Sequence, residues 1–520
     1  MSTVLFRAGR VRSPVSPFAT ALVVDGETVA WVGEEGAADG LSVDTVVDLR
    51  DAFVAPAFVD AHVHATATGL ALTGLDLHGA STLAAALDRV AAAARPGEVL
   101  LGHGWDESAW PERRPPTAAE LERAAGPGSR VYLSRADLHS AVATAALLAG
   151  TDHDDGRVRL ADHHTVRARA LASVTASQRR QAQQAARAEA ARLGIGSLHE
   201  MGGPEVSGAE DLAGLLDLAA GEPGPDVVGY WGELHGVATA AALGAQAGGD
   251  LFCDGSFGSH TAALSAPYAD DPATSGELRY TADEIAAHVA AATRAGLQAG
   301  FHVIGDRAVD AALSGLEGAR AELGAAVVAA RHRLEHAESL SAAAIARMAA
   351  LGLVASVQPA FDARWALGMY VERLGAERAA ATNPFALLAA AGVPLALGSD
   401  APVTPLDPWG GIRAAVGARS GLSARAAFSA HTRGGWRAAR LDGAGAGELL
   451  PGAPATFAVW EVPGELVVQV PDGRVAGWST DPRAAVAGLP DLSPGAPDPR
   501  CLRTVVRGRT VHHADALEPA

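Results

Sequence analysis

From Phe58 to Leu449, apolar strand-like runs alternate with alanine-rich helical stretches. Gln298–Val303 is followed by a helical pattern over Ala308–Leu323, and Leu353–Val357 and Val393–Leu397 continue the series. Strands separated by helices cannot be hairpin partners; they pair in parallel, with helices covering the faces of the sheet. Over so long a stretch the pattern predicts an α/β fold, an eight-stranded TIM-like βα barrel with insertions. An open doubly wound sheet would call for a glycine-rich phosphate turn after its first strand, and none is present.

The two ends of the chain have a different texture. Val4–Phe6, Ala21–Val24, Glu27–Gly33 and Val46–Leu49 read as short strands, with Asp25-Gly26 as a hairpin turn. Ala455–Trp460, Leu466–Val470 and Thr504–Val511 read likewise at the far end. Neither set buries a core alone, so residues 1–57 and 450–520 are expected to fold together as one small β unit. Residues 77–180 read as an insertion in the barrel. It carries Trp105, Asp106 and Trp110, and Thr117 with Glu120 forms a capping box that opens a helix to about Ala125. So much aromatic and polar material suits a substrate-facing cap. A structural insertion is the rival, because tryptophans commonly fill cores.

Composition narrows the partners. With 41 Lys+Arg against 59 Asp+Glu, the net charge of −18 argues against nucleic acid or an anionic membrane surface. Cys253 and Cys501 are the only cysteines, too few for a disulfide framework. Met1–Arg12 shows no signal-peptide pattern and no long apolar run occurs, so a cytoplasmic protein with a small-molecule substrate is expected. Homo-oligomeric association is left open.

The chemistry begins in Val54–His64, an apolar run read as one buried strand. Strand side chains alternate, so His62 and His64 point the same way and form half of a metal site; alone they are equally two satisfied histidines. His302, His336, Asp400 and either Asp250 or Asp254 stand at the ends of other apparent strands. A parallel barrel brings such ends to one face, where imidazoles and carboxylates suit zinc or a similar divalent ion. Taken singly, His336 reads as a core histidine, Asp400 as a turn residue and Asp306 as a helix N-cap. The ordered set is what these separate accounts do not explain.

That order, His-x-His, an acidic or lysine group, His, His, Asp, resembles the amidohydrolase superfamily. Pro56–His64, Gly104–Pro111, Asp254–Ala262, His302–Arg307, Leu334–His336 and Gly398–Asp400 resemble its YtcJ-like branch (amidohydrolase 3), which includes N-substituted formamide deformylases. The resemblance implies a metal-bearing barrel with a small β-sandwich made by the termini. It implies His62, His64, Asp250, His302, His336 and Asp400 around one or two ions, zinc being expected. Asp400 would carry the proton, and Trp105, Asp106, Trp110 and His139 would contact substrate. Where the branch carries a carboxylated lysine this chain has the shorter Asp250, so one tightly held ion is expected, with Asp254 a substitute and Cys253 a weaker candidate. The implied activity is hydrolysis of a non-peptide carbon–nitrogen bond, an amide or N-formyl group. The alternatives are an ester or lactone hydrolase on the same site and a non-catalytic metal-binding regulatory barrel.

Overall fold

The computed structural model describes residues 3–107, 110–135, 140–150, 155–469, 478–479 and 488–514. The chain divides into two compact units, Met1–His64 with Arg187–Ala520, and Ala65–Ala186.

In the first unit, Thr3–Arg7, Ala21–Asp25, Thr28–Gly33 and Thr45–Asp48 form a four-stranded sheet. Arg10–Val11, Phe53–Pro56, Phe457–Glu461, Arg500–Val506 and Arg509–His513 form a five-stranded one. Phe6 and Leu22 from the first join Val54, Phe457 and Val505 from the second in one apolar cluster. The Asp25-Gly26 hairpin forms as expected, with Gly26 at φ +56°. Thr504–Val511 is not a single run, since the chain turns back at Arg507-Gly508.

Val54–His64 is likewise two strands rather than one. Phe53–Pro56 pairs antiparallel with Phe457–Glu461, and Phe58–Val63 then pairs in parallel with Ile195–Gly202. Pro56 has no N–H with which to carry a ladder onward, and the change of sheet falls directly after it. The split leaves His62 inside the parallel strand and His64 just beyond its end.

Phe58–Val63, Ile195–Gly202 and Asp226–Trp231 form a three-stranded parallel sheet. Gly300–Val303, Arg333–His336, Val354–Val357 and Leu395–Leu397 form a four-stranded one, also parallel. Single parallel bridges Tyr230↔Gln246, Ala247↔Ala299 and Phe252↔His302 run the stretch 246–252 between the outer strands of these sheets. Val63↔Ala401 links the opposite edges. The strands therefore deliver their C-terminal residues to one end. After His302 the helix runs Asp306–Leu323 and starts from Gly305, so Asp306 is not its N-cap. Its carboxylate instead accepts the Ser265 N–H at 2.9 Å.

The Ala65–Ala186 unit is built on a five-stranded mixed sheet of Leu75–Asp76, Val99–Trp105, Arg130–Arg135, Ser140–Ala143 and Arg157–Arg159. The capping box forms, and its helix spans Ala118–Ala125. Trp105 and Trp110 are fully buried in this unit's core, their indole N–H groups donating to the carbonyls of Leu133 (2.9 Å) and Ala80 (2.7 Å). The expected substrate role of these two rings gives way to packing. Asp106 is ion-paired with Arg135 at 2.9 Å, and His139 lies outside the described residues. Among the described residues no helix is long and apolar enough to cross a membrane.

Buried neutral histidines also shape the first unit. His332 accepts the Ala299 N–H at Nδ1 (2.9 Å) and meets the Thr293 hydroxyl at Nε2 (3.0 Å). Burial, helped by the Arg440 charge, pulls its pKa from 6.5 to about 3. The unfolded chain takes up this proton near pH 6.5 and the folded ring resists it down to about pH 3, so stability is lost as pH falls through that interval. His332→Gln removes the term. Its urea midpoint should fall less steeply than the parent's between pH 6.5 and pH 4; equal slopes would contradict the assignment.

Candidate metal centre

At the C-terminal end of the parallel strands, four donor atoms from three elements face one another. His62 Nε2 lies 3.5 Å from Asp250 Oδ2 and 3.6 Å from Asp400 Oδ1. His64 Nε2 lies 3.2 Å and 3.1 Å from the same two oxygens. A tetrahedral ion with bonds of about 2.1 Å spaces its donors about 3.4 Å apart. The group fits a divalent cation on that measure. It fits by hydrogen bonding too, since His62 Nε2, Asp400 Oδ1 and Asp250 Oδ1 are buried without a hydrogen-bond partner.

Asp250 Oδ1 points to a second group. His336 Nε2 lies 3.5 Å from it, and the His302 ring stands 4.5 Å from that of His336 with its Nδ1 also unbonded. Thus Asp250 addresses His62 and His64 with one oxygen and His336 with the other. The short Asp250 side chain, expected from its reach to leave a second ion position weaker, faces both groups of donors. The backbone supplies the missing length. A Cβ at Gly232 would sit 2.6 Å from the Asp250 carbonyl oxygen, and one at Gly248 2.0 Å from the Gly300 nitrogen. Glycines at these contacts let the stretch 248–250 press inward between its neighbours.

His62, His64 and His336 are each aimed by a partner on the other nitrogen. His62 Nδ1 bonds Glu335 (3.0 Å), His64 Nδ1 the Met201 carbonyl (3.1 Å) and His336 Nδ1 the Gln358 side chain (2.8 Å). Such contacts fix ring orientation and leave Nε2 to the ligand. Glu335 is itself gripped by Arg333, at 2.8 and 2.9 Å, and that guanidinium lies 4.4 Å from the centroid of the Tyr230 ring. Asp400 (φ +55°) and His336 (φ +66°) both hold left-handed backbone conformations, strain of a kind that gathers at functional sites.

The electrostatics follow from the two carboxylates. Burial opposes a charged imidazole at His62, yet Asp250 and Asp400 draw its pKa up to about 10. His64 is raised well above its usual value for the same reason, and Asp250 is driven well below the normal carboxylate range. Burial would raise Glu335 as well, but Arg333 and His62 hold it at about 2. The centre demands positive charge, and a bound cation answers that demand without protons.

Sequence reasoning named the six ligand candidates, and the structure brings five of them together, with His302 adjoining. Asp254 is not a substitute ligand. It accepts the backbone N–H groups of Ala263, Ile304 and Gly305 at 2.8–3.0 Å and so pins the loop after His302. Cys253 is buried in the apolar core, where burial pushes its thiol pKa well up. The residues missed were Arg333, Glu335 and Gln358. Glu335 sits beside His336 in sequence, and a buried charged pair spaced two apart on a strand was the available signal.

A metal-dependent hydrolase is what this fold and centre define. The chain matches the amidohydrolase family over residues 45–512 and belongs to it. It is 29% identical over 416 residues to YtcJ of Bacillus subtilis (strain 168), a protein with a provisional amidohydrolase name, covering 71% of this chain and 74% of that one. It is 27% identical over 458 residues to the protein LONG AFTER FAR-RED 3 of Arabidopsis thaliana, covering 77% and 75%. An uncharacterised metal-dependent hydrolase from Pyrococcus furiosus superposes with a TM-score of 0.76 at 27% identity, over 88% of this chain and 98% of that one.

Two outcomes test the centre. Glu335→Gln should weaken divalent-metal binding by about 10–100-fold in chelator competition, because His62 loses its anchor; unchanged affinity would show that the contact is idle. Asp250→Asn should lower the bound divalent metal at both groups, and full metal content in that variant would remove Asp250 from the centre.

Proposed function

We propose that the protein hydrolyses a carbon–nitrogen bond other than a peptide bond, an amide or N-formyl group of a small molecule, with zinc as its ion. Three imidazoles with two carboxylates favour zinc over the oxygen-seeking magnesium and calcium. His62, His64, Asp250 and Asp400 would hold one ion tightly. His336, His302 and the second oxygen of Asp250 offer a less complete position. When bound, the ion supplies Lewis-acid polarisation of the acyl carbonyl and lowers the pKa of water to about 7.

The observation that carries the reading is the position of Asp400. Its Oδ1 stands 3.1 Å from His64 Nε2 and has no hydrogen-bond partner among the described residues. Burial would raise its pKa, but His62 and His64 hold it below the usual value, so it is ionised at neutral pH. An ionised carboxylate there accepts a proton from the attacking water. It then returns that proton to the leaving nitrogen, which departs as a neutral amine instead of an amide anion. Asp250 keeps the imidazoles in register meanwhile.

The same reading takes the two terminal sheets, which share one apolar cluster, as a β-sandwich of residues 1–57 and 450–520. It takes the parallel strands within 58–449 as a closed barrel whose eighth member is the stretch 246–252, supported by the bridges at both edges. Two buried free thiols, Cys253 and Cys501, suit a reducing, cytoplasmic location.

A panel of N-formyl amines, N-acyl amino acids and lactones, assayed with the zinc-loaded enzyme, tests the proposal. An amide or formamide should give the highest kcat/KM. Asp400→Asn should lower kcat by about 10²–10⁴-fold while most zinc stays bound through the remaining donors. Preference for lactones, zinc binding without turnover of any panel member, or full activity in Asp400→Asn would each contradict it.

A further inference from the structure

The Ala65–Ala186 unit carries a cluster of metal-ligating side chains that the hydrolytic centre does not use. Its short strand Leu75–Asp76 runs parallel to Val99–Trp105, and the register sets Asp76 opposite His103. His78 follows two residues after Asp76. Donor atoms of Asp76, His78 and His103 all lie within 4.8 Å of one another, and the two imidazole rings are 5.7 Å apart, inclined at 63°.

The cluster is held in place by several contacts. Asp76 Oδ1 accepts both the His78 backbone N–H (2.8 Å) and its ring Nδ1 (2.7 Å). The Leu77 N–H donates to the His103 carbonyl at 2.8 Å, tying the turn to the neighbouring strand. Arg89 donates to the carbonyls of Asp76 and His78 at 3.1 and 3.0 Å, which fixes that turn from the other side. Gly104 has φ +88°, and a Cβ on it would lie 2.2 Å from His78 Nδ1, so only glycine leaves room for this ring.

We propose that Asp76, His78 and His103 bind a divalent first-row transition ion of the zinc, nickel or copper class. Two imidazoles and one carboxylate on adjacent strand ends make a three-donor face, and nitrogen donors select such ions over magnesium or calcium. The side chains of Asp76 and His78 are more than half exposed, which leaves the remaining coordination positions to water. Binding here is therefore weaker than in the buried centre and exchanges freely with solvent. The bond between Asp76 and the His78 ring is what the ion replaces or shares. The inference does not depend on what the buried centre hydrolyses.

The test uses the full-length, zinc-loaded protein after dialysis, titrated with Cu(II) and followed by electron paramagnetic resonance with elemental analysis of the released zinc. The parent should bind one further Cu(II) per chain with nitrogen hyperfine structure and without releasing zinc. His78→Ala and His103→Ala should each weaken that binding by about tenfold or more. Asp76→Asn, which keeps the turn's hydrogen-bond acceptor, should weaken it less. Circular dichroism and melting temperature identify any variant that has lost its fold, and the remaining variants then decide the matter. No Cu(II) uptake beyond the resident zinc, or unchanged affinity in both histidine variants, would overturn the proposal.

Discussion

Asp250 and Asp400 are buried side by side against the same two imidazoles, and two carboxylates in such surroundings are costly unless positive charge lies between them. Much of the first unit serves that arrangement. The strand Phe58–Val63 carries His62 into the interior, the Arg333–Glu335 pair anchors the back of its ring, and glycines admit the stretch that bears Asp250. The two carboxylates draw the His62 pKa up to about 10 against the opposing effect of burial. The fold supplies concentrated negative charge as much as a set of ligands.

The same constraint explains the chain's local irregularities. Asp400 and His336 accept left-handed backbone angles that a plain strand end would not require. Asp254 spends its carboxylate on three backbone N–H groups, which holds the chain rigid where it leaves His302. Positioning of this kind matters because a ligand misplaced by a fraction of an ångström loses much of its bond.

The periodicity of the middle of the chain made the parallel strands legible, and the residues at their ends followed from it. His-x-His was readable because a strand's two-residue period is simple. Three features were not readable. The break at Ala57 was hidden because the apolar run Phe53–Val59 passes through it without a polar residue, and only the strand partners change there. Asp250 appeared too short because the sequence shows side-chain length but not how far glycine contacts bring a backbone inward. Trp105 and Trp110 drew attention as substrate contacts because composition cannot distinguish an indole in a core from one at a surface.

The central claim is that one cation sits among His62, His64, Asp250 and Asp400. Anomalous diffraction at the zinc edge, from crystals of protein purified without chelators, tests it most directly. The account predicts the strongest anomalous peak within about 2.0–2.2 Å of His62 Nε2, His64 Nε2 and one oxygen each of Asp250 and Asp400. A strongest peak coordinated by other residues, or a centre with Asp250 turned away from the ion, would contradict it.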